Sequence, residues 1–210
     1  MLTRMQTWMI VALAMTVLCT YLWLNGEQPT PGALFGKLGL VVSLVYGGML
    51  LFATYAWSWR IFKGWLVKRP DLRGTWRATL NSDWVDPKTK TKIPPIEAYI
   101  VVRQTLPMLS MRFFTMNARS VLVAHNIEPE PDGLFTLSAV YRNSPRIEHQ
   151  GVDSAIHHGA LLIEVHETKP KKLEGHYWTD RGTRGTIVLE WKSRNEFTSF
   201  DDAKAGAGAL

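Results

Sequence analysis

The densest run of polar and aromatic residues in the chain is Glu174-Gly-His-Tyr-Trp-Thr-Asp-Arg-Gly-Thr-Arg-Gly185. It gathers Tyr177, Trp178, Thr179, Arg181 and Arg184 around one strand–turn–strand corner. A guanidinium is a planar fork of donors that suits a phosphate. Tyr and Trp offer π-faces on which a base can lie, and glycine lets backbone come close to a ligand. A small ligand with two phosphates and two bases would use those residue types. The same residues also fit a tight glycine turn closed by Thr179-Asp180, with its arginines in water. Arg103, Thr105 and Arg112 are further candidates, since a polar group within a strand must meet solvent, a partner or a ligand. An exposed outer face accounts for them as well.

Metal and covalent chemistry find less support. Histidines at 125, 149, 157, 158, 166 and 176 match no familiar zinc spacing, and Cys19 is the lone cysteine. No disulfide can form within the chain, which fits a reducing compartment. There is no nucleophile elbow, no HExxH and no phosphate-cradling GxxxxGK[ST]. Glu174, His176 and Asp180 are not read as an acid–base set. Neither enzymatic activity nor a cofactor or metal is expected.

These residues sit in a region of short alternating runs. Eight strands are expected, at roughly 73–83, 96–106, 108–116, 119–127, 134–143, 158–167, 172–179 and 184–193. Turn signals part them, among them Pro94-Pro95, Pro107, Pro129–Gly133, Ser144-Pro145 and Arg181-Gly182. Regular short strands with no helical period between them predict an all-β domain, first of all a minimal eight-stranded antiparallel up-and-down barrel of lipocalin-like form. Its interior would hold side chains or one small ligand. Alternation pairs an apolar face (Ile96, Ala98, Ile100, Val102) with a mixed one (Glu97, Tyr99, Val101, Arg103). It leaves open which face is the lumen. Because Tyr177 and Trp178 point opposite ways, only a subset of the candidates can share a pocket. The tail over 196–210 has little apolar bulk and is expected to be disordered.

Before the strands come two apolar runs, Thr7–Leu24 and Leu38–Trp59. At about 1.5 Å per residue each covers most of a bilayer core, so a two-helix transmembrane hairpin is expected. Residues 1–69 carry six Lys/Arg against Glu27 alone, whereas the rest of the chain is almost neutral. The net charge of +6 is therefore a feature of the membrane flanks and not a footprint for duplex DNA or RNA. The positive-inside rule places both termini and the β domain in the cytoplasm of a two-pass inner-membrane protein. Arg60–Arg69 mixes basic and large apolar residues, as a helix end at an anionic leaflet would. Small residues recur every four positions: Ala12, Thr16 and Thr20, then Gly39, Ser43 and Gly47. They either pack the two helices of one hairpin together or join hairpins of different chains. The expected domains are thus 1–69, 70–195 and the tail 196–210.

The order of Leu72-Arg-Gly-Thr-Trp76, Ile93-Pro-Pro-Ile-Glu97, Arg103-Gln-Thr105, Tyr141-Arg-Asn143 and the run from Glu174 to Gly185, all behind a helical hairpin, resembles one family. This is the two-transmembrane, β-strand-rich effector family of the bacterial cyclic-oligonucleotide anti-phage signalling systems (CBASS). The resemblance implies a minimal barrel that binds a cyclic dinucleotide made by a partner nucleotidyltransferase. It also implies self-association, disruption of the inner membrane and abortive infection. On that reading Arg103, Arg112, Arg181 and Arg184 are candidate phosphate partners. Tyr99, Tyr141, Tyr177 and Trp178 are candidate base platforms, and Thr105 and Thr179 candidate hydrogen-bonding groups. The alternative is a membrane-anchored lipocalin-like carrier of an apolar small molecule, and behind it an anchored hydrolase.

Overall fold

The computed structural model describes residues 4–26, 30–86, 89–150 and 155–208. The chain divides into two compact units, Met1–Val67 and Lys68–Leu210.

The first unit is helical. Its two helices are α1 (Arg4–Leu24) and α2 (Pro31–Thr54). They meet through Leu18 and Leu22 of α1 and Val41 of α2, with Ala14, Tyr21 and Val45 beside them. Among the described residues one stretch, Phe35–Thr54, is long and apolar enough to cross a membrane, while α1 offers the shorter Val11–Leu24. The expected pair of helices is therefore present, and the membrane-crossing criterion is met by one of them. The remainder of α2 is apolar and largely bare, with Val42, Leu44, Leu50 and Leu51 exposed, as a helix in contact with lipid would be.

The contact stripes and the small-residue stripes do not coincide. Val41 and Val45 lie two residues from Gly39, Ser43 and Gly47, and two residues is about 200° round a helix. Ala14 and Leu18 stand in the same relation to Ala12, Thr16 and Thr20. Both small stripes thus face away from the other helix. Gly39 and Gly47 have open space above them. The Thr16 hydroxyl donates to the Ala12 carbonyl at 2.8 Å, so it needs no partner outside the helix.

The basic segment expected as a helix end departs from that form. It makes a short 3-10 turn over Arg60–Phe62, and then Gly64 takes φ 92°. That left-handed conformation ends any helix and is open chiefly to glycine.

The second unit is a closed barrel of eight antiparallel strands joined in sequence order: β1 (Gly74–Ser82), β2 (Ile96–Gln104), β3 (Leu109–Phe114), β4 (Ala118–Pro129), β5 (Phe135–Pro145), β6 (His157–Val165), β7 (Lys172–Thr179) and β8 (Arg184–Ser193), with β8 paired back onto β1. Each expected strand is present within a few residues. The apolar faces turn inward. Trp76, Ile100, Leu137, Ile163 and Leu189 are almost fully buried in the lumen. One end of the barrel is plugged. There the Gln104 side chain accepts the Leu72 N–H and donates to the Pro70 carbonyl, both at 2.8 Å, and the Trp76 indole donates to the Leu72 carbonyl. Asp71, its carboxylate almost wholly buried, takes two-pronged contacts from Arg73 and Arg194.

The tail corrects an expectation. Phe200–Gly208 forms a helix, α3, capped where the Asp202 N–H donates to Ser199 Oγ at 3.1 Å. Phe200 and Ala203 are buried on the outer face of the barrel against Tyr99, Val101 and Phe114, with Phe197 alongside. Little apolar bulk suffices, because β2 and β3 already present an apolar outer patch for it to cover.

Candidate functional site

The barrel is plugged at the end where the chain enters and open at the other. There Ser82, Ile96, Thr115, Ala118, Asn143 and Thr179, all at strand ends, surround a cavity of about 590 Å³. That is within the roughly 300–1,000 Å³ usual for small-ligand pockets. Its floor is apolar (Ala98, Phe113, Leu161, Ile187) and its upper wall is polar (Ser120, Tyr141, Asn143, Thr179, Thr183). Toward the mouth the inward residue turns polar on β1 (Ser82), β5 (Asn143) and β7 (Thr179), where it lines the cavity.

Two tyrosines set the shape. Tyr141 on β5 and Tyr177 on β7 both point inward, and each ring lies over a glycine of the neighbouring strand. Tyr141 pairs with Gly159 and Tyr177 with Gly185. A Cβ on Gly159 would meet the Tyr141 ring, and one on Gly185 the Tyr177 ring at 2.8 Å. Phe113 stands beside Tyr141 with ring centroids 5.8 Å apart. Burial, reinforced by Tyr177 and the Asp180 carboxylate, pushes the Tyr141 phenol up to about 12. Burial raises the Tyr177 phenol too, against a lowering hydrogen bond with Ser82. Both hydroxyls therefore stay protonated donors throughout the physiological range. Around them the Ser120 hydroxyl donates to Asn143 Oδ1 at 2.8 Å, and the Thr179 and Thr183 hydroxyls share a bond of 2.7 Å. The site is thus a ring of preset donors and acceptors above an apolar floor. It can hold a polar, partly flat ligand.

Of the ten sequence-predicted ligand residues, Tyr141, Tyr177, Thr179 and Arg181 line this cavity, and the other six do not. Trp178 points outward, as its neighbour Tyr177 requires, and is 48% exposed. Tyr99 is on the outer face under α3, edge-on to Phe200 at 5.5 Å. Arg103 also points outward and pairs with Glu196 at 2.6 Å. Arg112 is exposed between the inward Met111 and Phe113. Thr105 belongs to the β2–β3 turn at the plugged end, where its hydroxyl accepts the Met108 N–H. Arg184 grips Asp83 at 3.0 Å while Asp83 also accepts its N–H, so it ties the start of β8 to the end of β1. The β7–β8 corner is a tight turn, with the Thr179 N–H donating to the Thr183 carbonyl, and Arg181 within it lines the cavity. Two of its glycines are closely packed: Gly175 abuts the Leu162 carbonyl, and Gly185 the Asn81 carbonyl and the Tyr177 ring.

Sequence reasoning missed Ser82, Trp84, Thr115, Ser120, Asn143, His157, Phe200 and Lys204 as lining residues. Asn143 had a signal, since Tyr141 and Asn143 share an inward face at the end of β5. Among the described residues no group of three or more His, Cys, Asp or Glu side chains is placed to hold a metal ion.

An apolar, plugged barrel that opens into one cavity of donors, acceptors and aromatic faces defines the class: a β-barrel receptor for a small polar ligand. Residues 67–191 match the family model of the Cap15 cyclic dinucleotide receptor domain, and the chain belongs to that family of CBASS effectors. No curated protein matches the chain.

Proposed function

We propose that this protein is a ligand-gated membrane effector of CBASS defence. Its barrel binds a cyclic dinucleotide, made by a partner nucleotidyltransferase, in the cavity between Tyr141 and Tyr177. Membership of the cyclic dinucleotide receptor family supports the ligand class. The observation that carries the reading to this site is the pair of inward tyrosines held over Gly159 and Gly185 at the mouth of the barrel. Two π-faces, protonated phenols and the Arg181 guanidinium suit two bases and an anionic backbone. The barrel works by binding, not turnover.

On this reading the helical unit anchors the protein in the inner membrane as a two-pass hairpin with the barrel in the cytoplasm. Ligand-bound copies associate through Ala12, Thr16, Thr20, Gly39, Ser43 and Gly47 and disrupt the bilayer. The outward placement of both small stripes supports this role, because neither is used within the hairpin. A ligand shifts that association only as far as it binds the associated state better.

The test reconstitutes the full chain in dye-loaded vesicles of phosphatidylethanolamine and phosphatidylglycerol. A panel of 3′,3′-cyclic dinucleotides is added, and binding and dye release are recorded. Ligand-dependent release is expected. A double change of Gly39 and Gly47 to Leu should keep binding and lose release. Binding without release by the unaltered chain would leave the receptor and remove the effector.

A further inference from the structure

We infer that α3 completes the ligand site and that Lys204 is a phosphate-contacting residue, with Glu97 as the counter-charge the ligand displaces. The inference rests on the receptor reading above and extends it to residues outside the matched region, which ends at Trp191.

The tail is firmly placed. The Thr75 hydroxyl donates to the Asn195 carbonyl at 2.5 Å, Arg103 grips Glu196, and Phe200 and Ala203 are buried. Phe197 sits against Gly206, where a Cβ would strike its ring. These contacts bring Phe200 and Lys204 to the rim of the cavity, above the start of β2.

The charges at the rim then become informative. A cyclic dinucleotide brings two phosphodiesters, each a full negative charge. Among the described lining residues Arg181 and Lys204 are the only Lys or Arg, and Glu97 is the only carboxylate. Arg181 comes from the β7–β8 corner and Lys204 from α3 beside β2, so the two cations approach from different strands of the rim. Without Lys204 the cavity would set one strong cation and one carboxylate against two phosphates.

Glu97 is shared in a way that leaves Lys204 loosely held. Its Oε1 takes the Arg77 Nε at 2.8 Å and the Tyr99 hydroxyl at 3.3 Å. Its Oε2 reaches Lys204 Nζ at only 3.8 Å, beyond a direct hydrogen bond. The ammonium also lies over the Phe200 ring, 5.8 Å from its centroid. An exposed pair of this length contributes little, so exchanging the carboxylate for a phosphate costs little. Arg77 is left to neutralise Glu97.

The experiment measures binding of 3′,3′-cyclic di-AMP, 3′,3′-cyclic GMP–AMP and 3′,3′-cyclic di-UMP to the full chain in nanodiscs, at two salt concentrations. For the tightest probe, Lys204→Gln should weaken binding about tenfold, the scale of one charge-assisted contact, and flatten its salt dependence. Lys204→Arg should restore both, and Glu97→Gln should tighten binding severalfold. Unchanged affinity and salt dependence in Lys204→Gln, with the unaltered chain binding, would overturn this inference and leave the receptor reading standing. Failure of all three probes with the unaltered chain would overturn both. If Lys204→Gln shifts the thermal melt, Glu97→Gln decides, and binding no tighter than in the unaltered chain overturns the role given to α3.

Discussion

The ring of Tyr141 lies directly over Gly159, its partner across the β5–β6 ladder, so closely that a single methyl at that glycine would occupy the place of the phenol. The pocket wall is therefore made by the absence of a side chain as much as by the presence of one. Gly159→Ala would also crowd the Trp178 carbonyl at 2.8 Å. It should destabilise the barrel by about 1–3 kcal/mol, the usual scale of overpacking, and move the Tyr141 ring into the cavity. Thermal melting with ligand titration checks both effects. A variant with unchanged melting and affinity would contradict the packing described.

If bases lie on the tyrosines, truncation should cost about 1–3 kcal/mol of binding for each, the range for loss of a stacked base. Tyr141→Leu and Tyr177→Leu should then weaken cyclic dinucleotide binding about fivefold or more. Arg112→Gln and Trp178→Ala serve as opposites, because both side chains point away from the lumen. They should leave the dissociation constant within about twofold, since surface changes remote from a site are near neutral. Isothermal titration separates the two groups.

The strands and their turns were legible because alternation and Pro, Gly and Asp punctuation are local signals. The lumen was not. In β2 both faces are apolar, Ile100 and Val102 inside and Tyr99 and Val101 outside, because a helix from the far end of the chain covers the outer pair. An unexplained apolar outer patch and two phenylalanines in a polar tail, Phe197 and Phe200, were the available clue. The arginines misled for a related reason. Arg103 and Arg184 find carboxylates, Glu196 and Asp83, that lie 93 and 101 residues away in sequence, so no local window reveals the pairing.

Asp71 anchors the plugged end. Burial alone would raise its carboxyl, but hydrogen bonds from Arg73 and Arg194, and their charges, hold it well below the usual carboxylate range. A carboxyl depressed in the folded state contributes stability that is complete above its unfolded pKa, near 4, and is lost as the pH falls below it. Melting temperature should therefore drop below about pH 4. Asp71→Asn, which leaves both guanidiniums without their shared negative charge and turns one acceptor oxygen into a donor amide, should cost about 3 kcal/mol at neutral pH. It should also show a shallower acid loss. Denaturant melts across pH 2.5–7 test both.

A second acid response belongs to His125. Its Nε2 accepts the Leu109 N–H at 3.1 Å, where β3 and β4 have ceased to pair. Burial and the nearby Arg69 charge lower its pKa. A histidine depressed on folding favours the neutral ring, so stability begins to fall once the pH drops below the unfolded value of about 6.5. Protonation would turn the acceptor into a donor facing a donor. Amide exchange at Leu109 should speed up between pH 6.5 and 5, and His125→Gln, whose amide oxygen stays an acceptor, should abolish that acceleration. Exchange independent of pH after correction for intrinsic rates would refute the role.

β2 carries Glu97 near its start at the rim, beside Lys204, and ends at Gln104, whose side chain holds the backbone of Pro70 and Leu72. Seven residue-to-residue steps of extended chain separate the two, about 23 Å. Ladders to β1 and β3 stiffen that length along both edges. The strand is therefore a strut as well as a wall. A ligand that draws the charge off Glu97 acts on the same rod that grips the chain at its point of arrival in the barrel.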